Sequence, residues 1–154
     1  MLFRGYGCRM TPALLVEQQV AARPAAIWPL WTTAPGLARW WWPHLLDTTY
    51  DVEERPGGRY RIESSAAGIG VEGEFVSLDE PHELVLTWQW LHGGAAGPVD
   101  RVRIAFDERG ADTLVRVTHE MAGDQEHDGY LQGWTDVLDR LAGLFTSAEK
   151  GTQG

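Results

Sequence analysis

The chain has 154 residues, 44% hydrophobic and 23% charged, with a formal net charge of −9. That is enough chain for one substantial core and too little for two. The acidic balance argues against phosphate backbones and anionic membranes as partners, and no apolar run approaches the roughly 20 residues of a membrane span. The opening MLFRGYGCRMT puts Arg4, Gly5 and Gly7 where a signal peptide needs its apolar stretch. One cysteine, Cys8, excludes an internal disulfide. These features lead to an expectation of one cytoplasmic domain with no nucleic-acid or membrane partner.

Residues 1–11 lack any period and read as a disordered leader, with Met10 a candidate natural start; the domain proper is expected over 12–148 and a flexible tail over 149–154. Ala13–Val20 is a modest strand signal. Pro24 suits a first helical turn, and Ala25–Trp31 continues as a short helix, Pro29 being acceptable only near its start. A second short helix is expected over Pro35–Trp41, stopped by Pro43. Three consecutive tryptophans, Trp40 to Trp42, cannot all face one way on a regular element, so at least one ring should stay partly exposed or border a cavity.

From Thr48 the period shifts to two. Strands are expected at Thr48–Glu53 and Arg59–Glu63, joined by the turn Arg55-Pro56-Gly57-Gly58. A loop over Ser64–Gly70 precedes a strand at Val71–Leu78, with a bulge near Gly73. Glu83–Trp90 alternates Leu84, Leu86, Trp88 and Trp90 against Val85, Thr87 and Gln89. The segment His92–Pro98 reads as the most flexible loop. Val99–Phe106 sets Val102, Ile104 and Phe106 against Arg101 and Arg103, and Thr113–Met121 sets Val115, Val117, His119 and Met121 inward.

The one long helical pattern comes last, over about 126–147. Tyr130, Leu131, Trp134, Val137, Leu138, Leu141, Leu144 and Phe145 recur at spacings of three and four, a broad apolar face. Asp124 or Asp128 is a candidate cap, and Gly151 after Lys150 suits the end. Strands with one apolar face need a cover, so the expected fold is α+β, an antiparallel sheet of six or seven strands curled around this helix. Gly129 and Gly133 lie one turn apart beside the apolar stripe, each costing about 1 kcal/mol against alanine. They mark either a strand backbone in close approach or space between helix and sheet.

The segments AAIWPLWTTAPGLARWWWP, RPGGRYRIE, GEFVSLDEPHELVLTWQW, TLVRVTHEM and the GW before LDRLAGLF, in this order and spacing, resemble the activator of heat-shock-protein-90 ATPase homologue group of the SRPBCC (START-like, Bet v-like) superfamily. The resemblance covers about Ala13 to Phe145. It implies a helix-grip fold with two short helices near the N-terminus, and a cavity between sheet and long helix that often takes hydrophobic small molecules, with no universal catalytic residue. Met121 departs from the group, in which a glycine often follows the His-Glu pair.

His119 would point inward from an apolar strand face. It is either a core histidine bonded to a neighbour or a polar anchor for a ligand; no second group is expected beside it for acid–base work. Tyr60, Trp88, Trp90, Tyr130, Gly133 and Trp134 would line the same interior, as core filling or as the wall of an aromatic cavity. No catalytic residue is singled out. The histidines have no paired metal-ligand spacing, and no glycine-rich phosphate loop opens a helix, so neither a metal nor a cofactor is expected. The leading reading is a binder of a hydrophobic or aromatic small molecule. A cyclase- or hydrolase-like enzyme using the same cavity and a chaperone-cofactor interaction module are the alternatives. A homodimer is also expected, from the apolar patch that Trp40–Trp42 would offer.

Overall fold

The computed structural model describes residues 13–121 and 127–153, so the expectations for the leader and for Asp124 lie outside the described residues. Strand β1 (Ala13–Val20) is followed by helices α1 (Pro24–Thr32) and α2 (Ala34–Leu37). Six strands come next: β2 (Thr48–Val52), β3 (Arg59–Ser64), β4 (Ile69–Asp79), β5 (Glu83–His92), β6 (Ala95–Arg109) and β7 (Asp112–Glu120). Helix α3 (His127–Gln153) is the last element among the described residues. The strands form one curled antiparallel sheet in the order β1-β7-β6-β5-β4-β3-β2. Every neighbour but one is a sequence neighbour, as short hairpins dictate. The exception is β1, which pairs with β7 through Val16 opposite Val117. The two short helices therefore carry the chain from one edge of the sheet to the other.

Strand parity decides what is buried. Val102, Ile104 and Phe106 on β6 and Val115 and Val117 on β7 are buried together with Trp134, Val137, Leu138 and Leu141 of α3. The long helix thus covers the apolar face, as the helix-grip reading requires. Leu131, assigned to the helix's apolar stripe, is instead 38% exposed. On the opposite parity, Arg103 bonds Glu83 at 3.1 Å, and Arg116 reaches Glu17 at 2.9 Å and Asp107 at 3.0 Å. Such exposed pairs contribute about 0–1 kcal/mol each.

Several local expectations are corrected. The segment 92–98 is a tight hairpin: β5 runs to His92, β6 starts at Ala95, and Gly93 and Gly94 have φ of 58° and 84°. Positive φ at both central residues makes a turn whose twist matches that of the flanking strands, so the glycines join strands here. Strand β4 begins at Ile69, inside the expected loop. Its register shift falls between Phe75 and Ser77 and not at Gly73. Helix α2 is one turn long, its start capped by the Thr33 hydroxyl accepting from Gly36 N at 3.0 Å. Pro29 lies mid-helix in α1, where it is exposed, as is Ala25 one turn before it. Helix α3 continues through Gly151 to Gln153; one glycine weakens a helix without ending it.

The three tryptophans solve their geometric problem by leaving the helix. After Leu37 the chain turns, Trp42 takes a left-handed φ of 57°, and Trp40, Trp41 and Trp42 are all buried, at 0%, 4% and 8% exposure. The apolar patch on which the homodimer expectation stood is therefore not on the surface.

Gly73 has a steric reason of its own. A β-carbon there would lie 2.0 Å from the carbonyl oxygen of Thr87. Gly73→Ala should force the β4–β5 pair apart and destabilise the protein by roughly 1–3 kcal/mol, read as a lower midpoint in urea denaturation.

Candidate functional site: a cavity between sheet and long helix

On α3, Tyr130, Gly133, Trp134 and Val137 recur at helical spacing and face the sheet across a cavity of about 440 Å³. Trp88 and Trp90 of β5 and Ile69 of β4 form the opposite wall, and Trp41 and Trp42 close one side. The volume lies within the range of small-molecule sites. A β-carbon built on Gly133 would meet nothing within 4 Å, so this glycine borders open space and is not there for a touching strand. No charged side chain lines the cavity among the described residues.

Beneath it lies a smaller cavity of about 30 Å³ that shares Trp41, Trp88 and Trp134 with the first and is further bounded by Trp31, Tyr60 and Ile104. Tyr60 therefore belongs to the inner space and not to the main wall. Its hydroxyl donates to the Thr87 carbonyl at 2.6 Å, and burial, with Glu72 adding to it, raises its pKa well above that of an ordinary tyrosine.

His119 sits behind the wall, fully buried. Its ring centroid is 5.3 Å from that of Trp88 and 4.9 Å from that of Tyr130. The Trp134 indole donates to His119 Nδ1 at 3.0 Å, and His119 Nε2 lies 2.8 Å from Asp100 Oδ2. An indole nitrogen can only donate, so Nδ1 must be the acceptor and the ring proton sits on Nε2, directed at Asp100. Both ring nitrogens are thus taken up. Burial pushes the His119 pKa down and outweighs the opposing hydrogen bond and charge of Asp100. The neutral ring that the bond from Trp134 requires is the one the surroundings favour.

Of the sequence-derived candidates, Trp88, Trp90, Tyr130, Gly133 and Trp134 meet at the main cavity, while His119 and Tyr60 stand behind it. Asp100 was missed. It has the same parity as Val102, Ile104 and Phe106, so the alternation that turned His119 inward also marks a carboxylate on the inner face. Trp41 and Trp42 are further wall residues, and the crowding of three tryptophans was their only signal. Among the described residues no group of three His, Cys, Asp or Glu side chains could hold a metal ion.

Residues 21–146 match the profile of the family described as Activator of Hsp90 ATPase homolog 1-like protein. No curated protein matches the chain. Among solved structures, the chain is similar to DynU16, a protein of the dynemicin biosynthetic locus, at TM-score 0.71 and 20% identity over 84% of this chain and 45% of that one. It therefore spans less than half the length of DynU16. It is similar to CalU16 from Micromonospora echinospora at TM-score 0.67 and 22% identity, over 91% and 79% of the two chains. An Hsp90 activator from Plasmodium falciparum, PFC0360w, superposes at TM-score 0.66 and 17% identity over 88% and 96%. At such identities the likeness establishes the fold.

The depressed pKa of His119 gives a pH dependence with a definite sign. Unfolded, the ring titrates near its ordinary value of about 6.5; folded, burial holds its pKa below that value, against the opposing hydrogen bond and charge of Asp100. The stability contribution is whole above about pH 6.5 and is lost as pH falls from there towards the lower folded value. The loss of stability between pH 7.5 and 5.5, measured by urea denaturation, should be smaller in His119→Gln than in the parent. Equal slopes would show that His119 does not carry this dependence.

Proposed function

We propose, from the premise that this chain belongs to the Activator of Hsp90 ATPase homolog 1-like protein family, that it binds a hydrophobic or aromatic small molecule in the cavity between β5 and α3 without converting it. The observation that carries the reading is the cavity walled by tryptophan and tyrosine rings, with the exposed Gly133 leaving its margin open. At this exposed helix position any larger residue would gain helix propensity, so the glycine is not explained by packing. Binding without conversion is supported by His119, whose two nitrogens are committed to Asp100 and Trp134 and so offer a ligand neither a free lone pair nor a free proton.

The Plasmodium falciparum protein is an Hsp90 activator, but no feature of this cavity favours that role over ligand binding. No helix among the described residues is long and apolar enough to cross a membrane. A cytoplasmic working place is part of the proposal and rests on composition.

Gly133→Leu tests it. The substitution should leave the melting temperature equal or higher, since helix propensity improves by up to ~1 kcal/mol, while binding of an environment-sensitive hydrophobic dye falls away. Dye binding that survives the substitution unchanged would put the ligand site elsewhere.

A further inference from the structure

We propose that the ligand is uncharged and carries a carbonyl oxygen on an aromatic framework, and that the indole N–H groups of Trp41 and Trp88 donate hydrogen bonds to it where the two cavities meet. The inference rests on the binding function proposed above and names the chemistry that the site selects.

The tryptophans divide by their hydrogen bonding. The indole of Trp40 donates to the Leu30 carbonyl at 2.8 Å, that of Trp28 to Glu54 at 3.3 Å, and that of Trp134 to His119 at 3.0 Å. Three other indole nitrogens, on Trp31, Trp41 and Trp88, are buried without an acceptor among the described residues. All three of these rings line the inner cavity, and Trp41 and Trp88 line the outer one as well. Buried donors are almost always paired, so three unpaired ones on rings that bound one small space point to an acceptor there, reached by a small turn of the rings.

Edge-on contacts among the rings, such as Trp41 against Trp134 at 5.5 Å and 83°, offer an indole N–H at best a weak bond to a ring face. The inner space, at about 30 Å³, exceeds the roughly 10–15 Å³ that one water-sized atom needs and is far below the ~150 Å³ that takes a benzene ring. An aromatic body in the outer cavity with its oxygen directed inward satisfies both volumes.

The wall also sets the charge. A carboxylate or phenolate would lose its hydration with no cation in the lining to compensate, and the acidic chain repels it at long range. A ligand group that can only donate would meet indole donors. A neutral acceptor fits both constraints, and a ketone or quinone oxygen on a fused-ring system is its simplest form.

The test uses fluorene and 9-fluorenone, which share a framework and differ by one carbonyl, with the full chain. Affinities are measured by calorimetry, and the indole N–H signals are followed by NMR on protein labelled with ¹⁵N-tryptophan. Fluorenone is the less hydrophobic of the two, so hydrophobic transfer alone favours fluorene. The proposal expects the reverse, with fluorenone about tenfold tighter, as one neutral hydrogen bond supplies. The Trp41 and Trp88 indole signals should move downfield with fluorenone and not with fluorene. Replacing either residue by 3-benzothienylalanine, which puts sulfur in place of N–H at nearly the same volume, should reduce the preference for fluorenone over fluorene, measured on the same variant, to about twofold. Where a substituted chain fails to fold, the indole signals of the parent protein decide. Equal binding of the two probes with indistinguishable indole shifts would overturn the carbonyl inference and leave the binding cavity standing. Failure of both probes and of the hydrophobic dye to bind would overturn both.

Discussion

The buried chain of hydrogen bonds from Trp134 through His119 to Asp100 joins the long helix to the two strands beneath it. His119 lies opposite Val102 in the β6–β7 ladder, and Asp100 is two residues further along β6 on the same face, so the pairing register itself brings carboxylate and imidazole together. The bond from Trp134 then sets where the helix sits above them. Removing any member strands a buried polar group at a cost of about 1–3 kcal/mol, a large part of the stability of a domain this size. The arrangement also selects the neutral imidazole, since two N–H groups cannot share one line.

With Trp134 held in this way, the aromatic wall is organised around a fixed ring. Trp88 and Trp41 pack against it at centroid distances of 5.1 Å and 5.5 Å. The backbone that presents Trp41 is tied down from both sides: the Tyr50 hydroxyl donates to the Trp41 carbonyl at 2.5 Å, and Arg140 of α3 donates to that of Trp40 at 3.1 Å. Rings fixed like this do not collapse into the space at Gly133. Apolar cavities normally cost stability because their lining loses contacts. Here the hydrogen bonds at the margins hold the wall apart.

Much of this was readable from residue pattern. Alternation at Val115, Val117 and His119 put the imidazole inside, and helical spacing put Tyr130, Trp134 and Val137 on one face. The same alternation held Asp100, inside the strand expected over Val99–Phe106, but that strand was read only for its apolar residues and its two arginines. The residues before it are strand as well, because Gly93 and Gly94 take the left-handed turn that closes a hairpin. Tyr60 was expected in the same interior as the other rings and bounds its smaller chamber, since parity gives a face and not a depth. Trp40 to Trp42 were correctly judged unable to share a face. Their common burial depends on the left-handed backbone at Trp42, which no local propensity announces in a non-glycine residue.

The strand ladder and the cavity wall draw on largely separate sets of residues. Pairing along the sheet is made by backbone and by outward charged pairs such as Arg103 with Glu83. The wall comes from four separated segments: the turn after α2, the start of β4, the end of β5 and the start of α3. The wall can therefore change composition while the ladder stays intact, which is how solved structures sharing 17–22% identity with this chain retain its fold. Likeness at that level carries the ladder across and leaves the wall to be read residue by residue. In this chain the reading is an uncharged aromatic enclosure inside an acidic exterior, and both the missing cation within and the net negative charge without act against the same class of ligand, the anions.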